Sequence, residues 1–223
     1  MADIRALVFD AYGTLFDVRS VVTACREVTP EPEALSREWR AKQLEYTWLR
    51  ALMGRYEDFW DVTGAALRFA LKRLKVEGTA AQVDRLMAAY LSLHPFPEVP
   101  ATLRRLHPRF PLAILSNGSP RMLQAAVRSS GLHPYLQHVL SVDGIRTYKP
   151  NPAVYALALL TLGGIMEAIA FVSSNSFDVI GAKAFGFQVV WCNRAEAPLD
   201  ELGFAPDFTV ARLDQIPGAV GLV

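Results

Sequence analysis

Ala6-Leu7-Val8-Phe9-Asp10-Ala11-Tyr12-Gly13-Thr14-Leu15-Phe16-Asp17 sets four strand-forming apolar residues before a carboxylate and a polar, glycine-containing turn. An apolar run without polar alternation marks a strand covered on both faces, as parallel strands are. Three later runs share that character: Leu112-Ala113-Ile114-Leu115, Ile169-Ala170-Phe171-Val172 and Gln188-Val189-Val190-Trp191. Helical segments such as Arg121 to Ser129 and Pro152 to Leu162 lie between them. This alternation predicts an α/β fold with a doubly wound, Rossmann-like, mainly parallel sheet.

From Val18 to His94 the strand-like runs almost vanish, and aromatic, Leu, Arg and Glu residues recur at helical spacing, as in Glu38 to Leu49. Gly54, Gly64 and Gly78-Thr79 divide the stretch into about four helices, and Pro95-Phe96-Pro97 closes it. The expected organisation is an α/β core of residues 1-16 and 95-223, interrupted by a helical cap of residues 17-94. No internal repeat at a solenoid period is evident.

A length of 223 residues suits one α/β domain carrying an insertion. Hydrophobic residues at 52% and charged ones at 20% exclude a disordered chain. Lys plus Arg is 23 against 22 for Asp plus Glu, a formal net charge of +1. Such a balance provides no overall field for nucleic acid or an anionic membrane, so neither partner is expected, and any attraction for an anion is local. Cys25 and Cys192 stand far apart with no Cys/His cluster, which suggests neither a disulfide framework nor a zinc site. The N-terminal residues lack the apolar stretch of a signal peptide, and a cytoplasmic location is expected. Ala153 to Val172, the most membrane-like stretch, is broken by Gly163-Gly164 and Glu167 and reads as a buried helix followed by a strand. His94, His107, His133 and His138 show no ligand spacing, and no glycine-rich nucleotide loop follows the first strand. No metal and no cofactor is expected.

Ligands of open parallel sheets bind at the carboxyl ends of the strands, where helix N-termini converge. Leaving the four apolar runs in order, the chain presents Asp10, then Ser116-Asn117-Gly118, then Ser173-Ser174-Asn175, and then Asn193-Arg194. Taken singly, each is explained equally well by helix capping or strand termination. Asp10 stands apart, because a carboxylate at the mouth of a buried strand must be hydrogen-bonded or charge-paired to stay ionised, and one so held can act as a nucleophile. Lys149 lies in Tyr148-Lys149-Pro150-Asn151-Pro152, where the prolines restrict the backbone and Pro152 can open the next helix.

Together, Asp10 and Thr14, Ser116, Lys149-Pro150, and Ser173 to Asp178 resemble the four sequence marks of the haloacid dehalogenase superfamily, in order and over essentially the whole chain. Two departures narrow the resemblance. Phosphatases of that superfamily carry a second Asp where Tyr12 stands, to protonate the leaving alkoxide, and a magnesium-binding Asp where Ser174 stands. A neutral Ser is a poor ligand for magnesium, and a halide leaves without a general acid. Four strings, beginning at Asp10, Trp39, Leu115 and Val172, are similar to those of the L-2-haloacid dehalogenase subgroup.

That resemblance implies metal-free hydrolysis of L-2-haloalkanoic acids to D-2-hydroxy acids and halide, through an ester on Asp10. It assigns catalysis to Asp10, Thr14, Lys149, Ser173, Asn175 and Asp178, with Lys149 acting electrostatically beside Asp10 and Asp178 handling the hydrolytic water. Ser116 and Lys149 would receive the substrate carboxylate. Arg40, Asn117 and Phe177 would hold the departing halide, and Tyr12, Leu44, Phe59 and Tyr155 would line the alkyl pocket. It also implies a homodimer, for which the aromatic-rich segment Tyr46 to Trp60 offers a surface. The alternatives on the same fold are a magnesium-dependent phosphatase and a non-catalytic binding protein.

Overall fold

The first apolar run forms β1 (Ala6–Phe9), in which every residue is buried. Its neighbours are β2 (Leu112–Ser116) on one side and β4 (Ile169–Ser173) on the other, both parallel and both buried throughout. The computed structural model describes residues 3–221. Its sheet has six parallel strands in the order β3-β2-β1-β4-β5-β6, where β3 is His138–Ser141, β5 Gln188–Cys192 and β6 Phe208–Val210. β3 and β6 lie at the edges. Each has one face in contact with solvent, Val139 and Thr209 being exposed, so neither carries the unbroken apolar run that marks the four inner strands.

The order reverses at β1, because the chain goes from β1 to β2 and β3 on one side and then returns to β4 beside β1. This reversal creates a crevice at the carboxyl ends of β1, β2 and β4. Helices α5 (Val99–Leu106), α6 (Pro120–Ser129), α7 (Pro152–Leu162) and α8 (Ser176–Phe185) make the crossovers and the flanking layers, and a single turn, α9 (Ile216–Ala219), ends the described chain. Ala153 to Val172 forms most of α7 followed by β4, as its glycine interruption predicts. Among the described residues no helix is long and apolar enough to cross a membrane.

Between β1 and α5 the chain forms α1 (Val21–Cys25), α2 (Pro32–Met53), α3 (Phe59–Arg73) and α4 (Ala80–Ala89). Gly54 ends α2 in the left-handed conformation at φ +62°, the usual use of glycine at a helix terminus. Asp58 caps α3, and Thr79 caps α4 while its own backbone N–H donates in return to the Gln82 side-chain oxygen. Gly64 does not divide helices. It lies inside α3, where a Cβ would stand 3.3 Å from Arg68 and 3.6 Å from Met87 of α4, so its smallness serves close helix packing. The indole of Trp39 and the amide of Gln43 on α2 donate to the Thr63 carbonyl and hydroxyl on α3, at 2.8 and 2.6 Å.

The chain leaves the sheet through Phe16 and returns through Pro95, and the two passages are hydrogen-bonded to each other. Asp17 N donates to the His94 carbonyl at 2.9 Å and Phe96 N to the Leu15 carbonyl at 3.0 Å. The helices are further tied to the β3–α7 segment by Tyr56, which donates to Asp143 at 2.8 Å, and by Tyr148, which donates to the Glu57 carbonyl.

Candidate active site

Asp10 follows the last residue of β1, and its backbone N–H donates to the Val172 carbonyl of β4 at 2.9 Å, which fixes the carboxylate over the crevice. The side chain is only 8% exposed. Oδ2 accepts two hydrogen bonds, from the Thr14 hydroxyl at 3.0 Å and from the Asn175 amide at 2.8 Å. Oδ1 faces the Lys149 ammonium at 3.0 Å. These three donors replace the water that burial takes from the carboxylate.

The donors are themselves held. Thr14 accepts at its hydroxyl from Ser174 N at 2.9 Å, so its own hydrogen is committed to Asp10. The same Asn175 NH2 that binds Asp10 also donates to the Tyr12 carbonyl at 3.1 Å, and Asn175 N donates to the Ser173 hydroxyl at 3.1 Å. Ser173 thus reaches Asp10 through Asn175. Lys149 is 1% exposed and bridges two carboxylates, its second partner being Asp178 Oδ2 at 2.8 Å. Burial alone pulls its ammonium pKa down, but Asp10 and Asp178 outweigh that pull and leave it raised. Asp178, fully buried on α8, also accepts from the Tyr155 hydroxyl at 2.9 Å. Burial pushes its carboxyl up to about 6, against the opposing pull of Lys149.

Ser116 is buried at the end of β2 and accepts from Gly118 N at 3.1 Å, which folds the turn carrying Asn117. Asn117 accepts at its side-chain oxygen from Lys149 N at 3.0 Å, leaving its NH2 as the donating end. Tyr12 and Phe59 are buried together, their ring centroids 5.6 Å apart, while Leu44 on α2 is half-buried. Phe177 meets the Trp48 indole of α2 edge to face at 5.4 Å. Arg40 donates to Gln43 at 2.7 Å and lines a cleft of 650 Å³ together with Arg19, Arg26, Arg37 and Tyr90.

Tyr155 is the placement that differs from expectation. Its ring packs against Phe171, Phe185 and Phe187, and its hydroxyl is spent on Asp178, so it backs the carboxylate instead of facing an alkyl group. Two supports have no role in the sequence reading. Arg194, after β5, donates to the Thr14 carbonyl at 3.1 Å and pairs with buried Glu98. Trp48 covers Phe177. For Arg194 the signal was its position just past the carboxyl end of an inner strand; for Trp48 it was the string that begins at Trp39.

A family model described as haloacid dehalogenase-like hydrolase matches residues 4–186. The chain is 49% identical to the (S)-2-haloacid dehalogenase of Pseudomonas sp. (strain YL), over 94% of this chain and 91% of that protein. It is 48% identical to haloacetate dehalogenase H-2 of Moraxella sp. (strain B), over 97% of each. Among solved structures, L-2-haloacid dehalogenase from Xanthobacter autotrophicus with chloropropionic acid covalently bound is similar at a TM-score of 0.91 and 43% identity, over 98% of both chains.

Proposed function

The chain belongs to the haloacid dehalogenase-like hydrolases, and from that membership and its site we propose that it is an (S)-2-haloacid dehalogenase, a hydrolase acting on carbon–halide bonds. It converts L-2-haloalkanoic acids into D-2-hydroxy acids. The observation that carries this reading is the state of Asp10: one oxygen saturated by two fixed donors, the other facing a lysine, at the mouth of the central strand.

In the first step Oδ1 of Asp10 attacks the α-carbon from the side opposite the halogen. The new C–O bond forms as the C–X bond breaks, its electron pair leaving with the halide, and the carbon inverts. Oδ2 is left as the ester carbonyl oxygen, already bonded to Thr14 and Asn175. In the second step water attacks the carbonyl carbon of Asp10, and negative charge grows on Oδ2, where those two donors are in place before the charge develops. Asp178, held by Lys149 and Tyr155, takes the proton of the water. The bond between the carbonyl carbon and Oδ1 then breaks, the proton held by Asp178 passes to the departing oxygen, and the hydroxy acid leaves carrying an oxygen of Asp10 while the incoming water oxygen stays in the carboxylate.

Ser116 and Lys149 receive the substrate carboxylate, and Arg40, Asn117 and Phe177 receive the halide. The alkyl group lies against Tyr12, Phe59 and Leu44. Residues 17-94 act as the cap over the core, which the paired crossing at Phe16 and Pro95 supports. The reaction is metal-independent. In support, Asp10 Oδ2 and the Tyr12 carbonyl both accept from the amide of Asn175, and Ser174 adds no carboxylate that could hold a hard cation.

The enzyme is proposed to work as a cytoplasmic homodimer, without nucleic acid or membrane partners. Leu49, Leu52 and Met53 are exposed on successive turns of α2 and supply an apolar patch for a second copy. Cys25 and Cys192 are free, buried thiols, as a reducing compartment permits.

The direct test is halide release from each enantiomer of 2-chloropropionate with EDTA present. Release from the L form alone, unaffected by EDTA, is expected. Release that needs magnesium, or that ignores configuration, would overturn the assignment.

A further inference from the structure

Tyr12 is 2% exposed, yet its hydroxyl has no hydrogen-bond partner among the described residues. A buried hydroxyl left unpaired costs free energy, and an interior that tolerates one commonly keeps it for a ligand. The phenol lies against the turn after Asn117. A Cβ at Gly118 would stand 2.9 Å from the hydroxyl oxygen and 2.7 Å from the ring, so only glycine admits this close approach. Its ring faces Phe59 and Tyr90 of the helical segment, at centroid distances of 5.6 and 6.3 Å. Arg40 is near enough to act electrostatically on both phenols. The hydroxyl thus lies against the turn that follows Asn117, with Arg40 and Asp10 in electrostatic reach and Phe59 and Tyr90 of the helical segment against the ring.

Resting on the dehalogenase reading, we propose that the Tyr12 hydroxyl donates a hydrogen bond to the departing halide, as a third donor beside Arg40 and Asn117. Tyr12 is thus more than an apolar wall. As Oδ1 of Asp10 bonds to the α-carbon, the C–X electron pair moves onto the halogen, and the hydroxyl stabilises the new anion without giving up its proton. Burial, with Asp10 nearby, keeps the phenol protonated and able to donate at any working pH. Smaller halides concentrate their charge and bind a donor more strongly, so this bond favours chloride over bromide and iodide.

The test is Tyr12→Phe, compared with wild type on 2-chloro- and 2-bromopropionate, with product inhibition by chloride and bromide and a melting curve. The variant should lose about fivefold to tenfold on the chloro substrate and distinctly less on the bromo one, with chloride inhibition weakened by a similar factor. Its melting temperature should be unchanged or slightly higher, since an unpaired hydroxyl has been removed. Equal losses on both substrates with a lower melting temperature would show a structural bond and overturn the proposal. A uniform rise in KM with halide inhibition unchanged would place the hydroxyl on the substrate carboxylate and also overturn it. Wild type that releases no halide would instead refute the dehalogenase reading itself.

Discussion

Tyr155 donates its hydroxyl to Asp178 Oδ1 at 2.9 Å, and both side chains are sealed from solvent. With Lys149 on the other oxygen, this bond offsets part of the burial that raises the Asp178 carboxyl to about 6. In the proposed mechanism Asp178 must be ionised to take the proton of the water, so turnover should fall as pH drops through about 6. Tyr155→Phe removes a donor that favours the charged form, and the acid limb should move to higher pH. A pH–rate profile of both proteins checks this; an unmoved limb would show that Asp178 does not titrate in the rate-determining step.

Lys149→Met leaves Asp10 and Asp178 buried with no cation between them. Removing one partner of a buried ion pair costs roughly 3–5 kcal/mol, so a marked fall in melting temperature at neutral pH is expected together with loss of turnover. The sign of the pH dependence follows from the raised lysine. Its contribution is fully present below the unfolded pKa, near 10.5, and is lost as pH rises through the higher folded value. Wild type should thus lose stability in strong alkali by a step that the variant lacks.

Asn175→Ala withdraws one of two donors from Oδ2 of Asp10. Its effect should fall chiefly on ester hydrolysis, slowing it by about 10²–10³, the usual cost of one oxyanion donor. Rapid-quench mass measurement should then detect an accumulated ester. Equal slowing of ester formation and hydrolysis would point to a role in positioning the nucleophile alone.

Leu52, 84% exposed, and Met53, 62% exposed, lie on the proposed dimer face. Leu52→Glu should convert a dimeric mass in light scattering to a monomeric one. A monomeric wild type, or a dimer that survives the substitution, would place the contact elsewhere or remove it.

The inner strands were legible because burial on both faces leaves an unbroken apolar run. β3 and β6 were not, since an edge strand is half wet and its residues mix polar and apolar character. Asp10 could be picked out because it follows a buried strand, and Thr14, Lys149, Asn175 and Asp178 because with it they match the haloacid dehalogenase marks in order; the fold then carries them to one crevice. Sequence position did not reveal that Tyr155 points at Asp178 or that Arg194 grips the Thr14 carbonyl. Those contacts depend on how α7 packs on α8 and how the segment after β5 folds back, both tertiary outcomes. Gly64 was misread for the same reason: a helix-interior glycine and a helix-ending one look alike until the neighbouring helix is in place.

The nucleophilic role of Asp10 is tested most directly by one turnover of L-2-chloropropionate with excess enzyme in ¹⁸O-labelled water, followed by mass analysis of the product and of the peptide containing Asp10. Attack by the Asp10 carboxylate predicts unlabelled D-lactate and one ¹⁸O in that peptide. Labelled lactate with an unlabelled peptide would mean that water attacks the α-carbon directly, and Asp10 would lose its place as nucleophile.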